Sequence, residues 1–140
     1  MGTARTAIVL GVLGALVGGL VSGCASRGTV KPLTTGADLA GLAGRWDGFG
    51  TGAGGGSRRA VMEISRDGRY RAEIGAFVSS GSLRLANGGL ATMPDGAARG
   101  AFATDYGATG ELRERDGRHV LSLEGLSDRG PYSLEVTKRP

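Results

Sequence analysis

The sequence predicts an all-β domain, a small antiparallel up-and-down barrel of about eight strands, and three observations carry that prediction. From Gly44 onward apolar and polar residues alternate with period two. Dipeptides that favour tight hairpins recur between the alternating runs, and helical periodicity nowhere extends beyond a single turn.

Taken in chain order, Asp38-Leu39-Ala40-Gly41-Leu42 reads as one helical turn, capped by Asp38 and turning Leu39 and Leu42 toward the domain. Trp46 lies in the first strand. Met62 and Ile64 share one face of the next, with Glu63 and Ser65 opposite. Tyr70, Ala72 and Ile74 alternate with Arg69, Arg71 and Glu73, and Leu83 and Leu85 flank Arg84. Phe102 is expected to share a face with Gly100, Thr104 and Tyr106. Leu112, then Leu121 and Leu123, then Leu134 and Val136 complete the expected inward set. Turns are expected at Asp67-Gly68, Asn87-Gly88, Asp95-Gly96, Asp116-Gly117 and Asp128-Arg129-Gly130-Pro131. A meander with one apolar face must hide its edges, by closing into an up-and-down barrel or by flattening into a sandwich.

Composition agrees. The chain has 140 residues, enough for one domain, and its 28 glycines follow no collagen-like period, so they read as turn and bulge residues. The formal charge is +4, but the arginines alternate with Asp and Glu along the strands. With no clustered basic stripe and few aromatics to stack on bases, nucleic acid is not an expected partner.

The first 23 residues have a different character. Arg5 precedes an uncharged, mostly apolar run from Ala7 to Val21, which suits a signal peptide and is short for a bilayer-spanning helix. Val21-Ser22-Gly23-Cys24 follows, and it resembles the lipobox of bacterial lipoproteins: an aliphatic residue, two small residues, then cysteine. The resemblance implies diacylglycerol on the Cys24 thiol, cleavage between Gly23 and Cys24, and further acylation of the new amino group. Cys24 is the only cysteine, so no disulfide competes for it. Ala25 rather than Asp follows it, which by the same resemblance implies the outer membrane, facing the periplasm. The expected organisation is signal peptide 1–23, lipidated N-terminus and linker 24–41, and barrel domain 42–140, with the polar, Pro32-containing stretch 25–35 as a flexible tether.

Leu42-Ala43-Gly44-Arg45-Trp46-Asp47-Gly48 resembles the opening of lipocalin-like barrels, where a short turn leads into a Gly-x-Trp strand. Gly44 and Trp46 match that motif, and the resemblance implies that Trp46 plugs one barrel end. A looser likeness is to the small barrel of Inh-type protease-inhibitor lipoproteins, which usually carry a disulfide that this chain has no second cysteine to form.

Motifs for chemistry are sparse. Gly50–Gly56 has the composition of a phosphate loop but leads into another strand rather than a helix, so it reads as a hairpin loop, with Arg58 and Arg59 beside it. His119 is the only histidine and has no nucleophile-elbow partner; an exposed edge position is expected for it. Glu111, Glu114 and Asp116 lie among Arg113, Arg115 and Arg118, where cross-strand ion pairs account for them. No catalytic, cofactor-binding or metal-ligating residues are assigned. The expected role is non-enzymatic binding or structural contact in the bacterial envelope, the bilayer being one partner through acylated Cys24 and an envelope protein or small apolar ligand the other. The alternatives are a carrier with an apolar ligand inside the barrel, and a protease inhibitor. A carrier needs an interior cavity on the order of several hundred Å³.

Overall fold

A computed structural model describes residues 27–52, 54–95 and 104–140. Eight antiparallel strands close into a barrel: β2 (Gly44–Thr51), β3 (Ser57–Ile64), β4 (Arg69–Ile74), β5 (Phe77–Ala86), β6 (Gly89–Pro94), β7 (Asp105–Arg115), β8 (Arg118–Ser127) and β9 (Gly130–Lys138). Each strand pairs with its neighbours in sequence, and β2 pairs with β9 from Trp46↔Lys138 to Thr51↔Ser133, so closure is complete. This is the up-and-down barrel and not the flattened sandwich. Among the described residues no helix is long and apolar enough to cross a membrane.

The hairpins follow turn chemistry. Asn87 and Gly88 both have positive φ (50° and 78°), as do Asp116 and Gly117 (52° and 71°), the signature of type I′ turns whose twist matches that of the strands. Ile74 pairs with Phe77 across a Gly75-Ala76 turn that the dipeptide reading did not include. The expected Asp95-Gly96 turn and Phe102 lie outside the described residues.

The alternating faces become the core. Trp46, Met62, Leu121 and Val136 are fully buried, with Ile64, Tyr70, Ile74, Leu83, Leu112, Leu123 and Leu134 nearly so; Leu85 is partly buried against them. One barrel end carries α1 (Gly36–Gly41). Thr35, not the expected Asp38, is its N-cap, and Asp38 closes a capping box from the third helical position, three residues inward of the cap. Hydrogen bonds from the Thr34 and Thr35 backbone N–H groups, at 2.9 and 2.8 Å, hold the exposed Asp38 carboxyl below its ordinary pKa. Leu42, just past the helix, is 2% exposed, and its carbonyl accepts from Trp46 Nε1 at 2.9 Å. Lys138 Nζ donates to the Gly41 carbonyl at 2.7 Å and stands 5.8 Å from the Trp46 ring centroid, within cation–π range.

Two features depart from the alternation. Thr29–Lys31, in the stretch read as tether, forms a further strand, β1, that pairs with Glu114, Arg113 and Leu112 of β7. β6 pairs with β7 only at Gly110 and Thr109, and β1 takes the vacant edge beyond them. Leu33, also in that stretch, is buried and donates its N–H to the Gly88 carbonyl at 2.8 Å. Thr29–Lys31 and Leu33 thus pack against the barrel although they precede its first strand at Gly44.

The second departure is a β-bulge. Asp105 pairs with Ser127 and Ala108 with Gly125, so Tyr106 and Gly107 together oppose the single residue Leu126. The extra residue reverses the facing of everything before it. Asp105 turns into the barrel and is 5% exposed, while Tyr106, expected to share the face of Phe102, is 63% exposed. Gly107 makes the bulge possible: its φ is +103°, and a Cβ there would stand 3.0 Å from the Thr92 carbonyl oxygen. Gly107→Ala is therefore expected to cost about 1–3 kcal/mol, measured by urea unfolding; a loss too small to measure would mean that the bulge relaxes freely.

Candidate functional site

The two barrel ends differ. One bears α1, Trp46 and the type I′ hairpins. Among the described residues the other is formed by the β2–β3 loop, the Gly75-Ala76 turn and the β8–β9 turn, and it holds the features that suit recognition.

Just inside this mouth lies a chain of buried hydroxyls ending on Asp105. Ser79 Oγ donates to Asp105 Oδ2 at 2.5 Å, and Tyr132 OH donates to Oδ1 at 2.8 Å. The Gly107 N–H also reaches Oδ1, at 2.8 Å. Since the one Ser79 proton is committed to Asp105, Tyr70 OH must be the donor in its 3.1 Å bond to Ser79. Burial, with the nearby Asp105 adding to it, pushes both Tyr70 and Tyr132 above the ordinary phenol range, so both stay protonated donors at neutral pH. Thr92 extends the polar seam, accepting from the Ala108 N–H at 2.7 Å. It supplies the β6–β7 contact where backbone pairing has ended.

Tyr132 owes its position to Gly125, its cross-strand partner. A Cβ at Gly125 would lie 2.3 Å from Cζ of the phenol, so the ring lies over the bare glycine and reaches Asp105. Phe77 stands beside it, ring centroids 5.4 Å apart and tilted 44°.

The space around this network is about 10 Å³, bounded by Met62, Tyr70, Ile74, Asp105, Leu123 and Tyr132 among others. That is about the room one water needs. It is far smaller than the several hundred Å³ of a typical small-molecule pocket.

Above it the mouth opens into a pocket of about 360 Å³. Ile74, Phe77 and Tyr132 give it an apolar floor, Gly52, Gly54 and Gly55 one wall, and Arg58 and Arg129 charged margins. On the outer wall nearby, Met93, Tyr106 and Leu126 are 45%, 63% and 52% exposed and border an open groove of about 1060 Å³ with Pro94 and Pro131.

The sequence-assigned residues fall elsewhere or outside. Gly23 and Cys24 are outside the described residues. Gly44 and Trp46 stand at the α1 end, remote in register from the mouth. His119 pairs with Glu114 near the Asp116-Gly117 hairpin and is partly exposed. Of the neighbouring carboxylates, Glu111 pairs with Arg113 on its own strand, while Glu114 pairs with Lys31 of β1 at 3.1 Å. Arg115 crosses to Glu135 at 2.8 Å. Among the described residues no cluster of three or more His, Cys, Asp or Glu forms a metal-binding group. Asp105, Ser79 and Tyr132 were not legible as a site; the one sequence signal was Tyr106-Gly107, a glycine inside a strand pattern, which marks a bulge.

The molecule is thus a small closed antiparallel barrel of lipocalin-like form, with one end bearing α1 and the other, among the described residues, bearing no helix. Comparison with known proteins returns no matching family model, no matching curated protein and no matching solved structure.

Proposed function

We propose that this chain is a lipid-anchored, non-enzymatic protein of the bacterial envelope that works by contact at the open end of its barrel. The observation that supports this reading most directly is the position of β1. Its first residue, Thr29, pairs with Glu114 beside the Asp116-Gly117 hairpin, at the end that bears α1. Cys24 precedes Thr29 by five residues, a reach of at most about 18 Å at ~3.3–3.6 Å per residue. An acyl anchor on Cys24 therefore draws the α1 end toward the bilayer and leaves the mouth and the Met93–Tyr106–Leu126 groove turned away from it. Two or three acyl chains, at about 0.8 kcal/mol per buried methylene, make such an attachment durable.

The test is metabolic labelling with radioactive palmitate. Wild-type protein is expected to incorporate label and to fractionate with membranes. Cys24→Ala is expected to take up none and to accumulate as uncleaved or mislocalised precursor. Equal labelling of the two would overturn the reading.

A further inference from the structure

We infer that the 360 Å³ mouth pocket is a binding site for a small anionic amphiphile, a carboxylate or phosphate head carrying a short apolar chain. This rests on the reading of the open end as the working face, and it names the ligand class.

The pocket is built from opposites. Its floor is Ile74, Phe77 and Tyr132, and the single phenol oxygen there is engaged with Asp105. Apolar carbon is the group such a floor accepts. Its margins carry Arg58 and Arg129, and neither belongs to any salt bridge among the described residues. Most other arginines of the barrel wall do pair, among them Arg45, Arg69, Arg71 and Arg115. The nearest acidic residue in sequence, Asp128, does not line the pocket and accepts from the Thr104 N–H at 2.9 Å. Two unpaired guanidiniums over an aromatic floor complement a ligand that has one anionic end and one apolar end.

The surrounding backbone keeps the site open. The stem of Arg58 lies across Gly75, whose missing side chain makes room for it: a Cβ there would stand 2.8 Å from Arg58 Cδ. Gly52 and Gly54 have neither a positive φ nor any atom within 4 Å of where a Cβ would be. Neither turn geometry nor packing calls for glycine at those two positions. Their effect is to leave the mouth wall bare. Because the interior below holds only about 10 Å³, the apolar chain lies across the floor and does not thread the barrel.

The experiment uses the full-length lipoprotein in zwitterionic phosphatidylcholine nanodiscs, titrated calorimetrically, with empty nanodiscs subtracted. The probes are octanoate, octyl phosphate and, as the uncharged control, octanol. Saturable binding at one site is expected for octanoate, octyl phosphate or both, with octanol at least tenfold weaker. Whichever anion binds more tightly identifies the head group. The Arg58→Gln, Arg129→Gln double variant is expected to lose at least tenfold in affinity with its melting temperature unchanged, since both side chains are exposed. Gly52→Phe is expected to weaken binding by obstruction, again without loss of stability. Binding of octanol equal to that of the anions, affinity indifferent to the double variant, or no saturable binding would each overturn the inference. Palmitate labelling distinguishes its failure from that of the anchor reading, because a labelled protein that binds none of the probes leaves the anchor standing.

Discussion

Trp46→Ala is expected to remove about 3–5 kcal/mol of folding free energy, a large part of the about 5–15 kcal/mol that a domain usually has. Trp46 is 0% exposed, the largest fully buried side chain in the barrel. Its loss opens a cavity that strands β2, β3 and β9 cannot collapse into, because each is fixed by pairing on both sides. It also leaves the Leu42 carbonyl without the indole N–H at the point where the helix turn docks. Urea unfolding followed by circular dichroism measures the loss. Trp46→Phe separates the two contributions: it retains most of the buried area but not the donor, so its cost should be well below that of the alanine variant. A cost below about 1 kcal/mol for Trp46→Ala would mean that the α1 end is not part of the cooperative core.

The second large effect is at Asp105. Asp105→Ala withdraws the acceptor shared by Ser79, Tyr132 and the Gly107 N–H. Each donor left without a partner in this buried site costs about 1–3 kcal/mol, so a loss of about 2–5 kcal/mol is expected after Ser79 and Tyr70 readjust. The sharper prediction is non-additivity. Tyr132→Phe and Ser79→Ala remove donors rather than the acceptor, and each alone should cost less than Asp105→Ala. Combined with Asp105→Ala they should recover part of its loss, because a site with no polar groups has nothing left unsatisfied. Strictly additive costs in the triple variant would show that the hydroxyls are not coupled through Asp105.

Much of the barrel was readable because its strands obey period two with one buried face. Met62, Tyr70, Leu121 and Val136 face inward where alternation put them. The Asn87-Gly88 and Asp116-Gly117 turns follow from the tolerance of positive φ at those residues. What alternation could not express is pairing between segments distant in sequence. Thr29–Lys31 has no apolar periodicity of its own, and it is a strand only because β6 leaves an edge of β7 free. The Asp105 network was hidden for a related reason. Period-two reading assumes an unbroken phase, and the Tyr106-Gly107 bulge breaks it, so a residue that looks exposed is buried and an aromatic that looks buried is not. The mouth pocket draws on three separate connections, and no local motif announces such a convergence.

That phase break also has a genetic reading. A strand with an even count between two points presents one set of side chains, and with an odd count the other. At Gly107 the choice is held by a single codon. In-frame loss of that codon would restore regular pairing with Asp105 still opposite Ser127 and Tyr106 opposite Leu126, so both side chains would keep the faces they have now. The polarity of the chamber beneath the mouth is thus encoded in residue count as much as in residue identity: unbroken pairing with Gly107 retained, and not its deletion, is what would send the Tyr106 phenol inward and the Asp105 carboxyl into water.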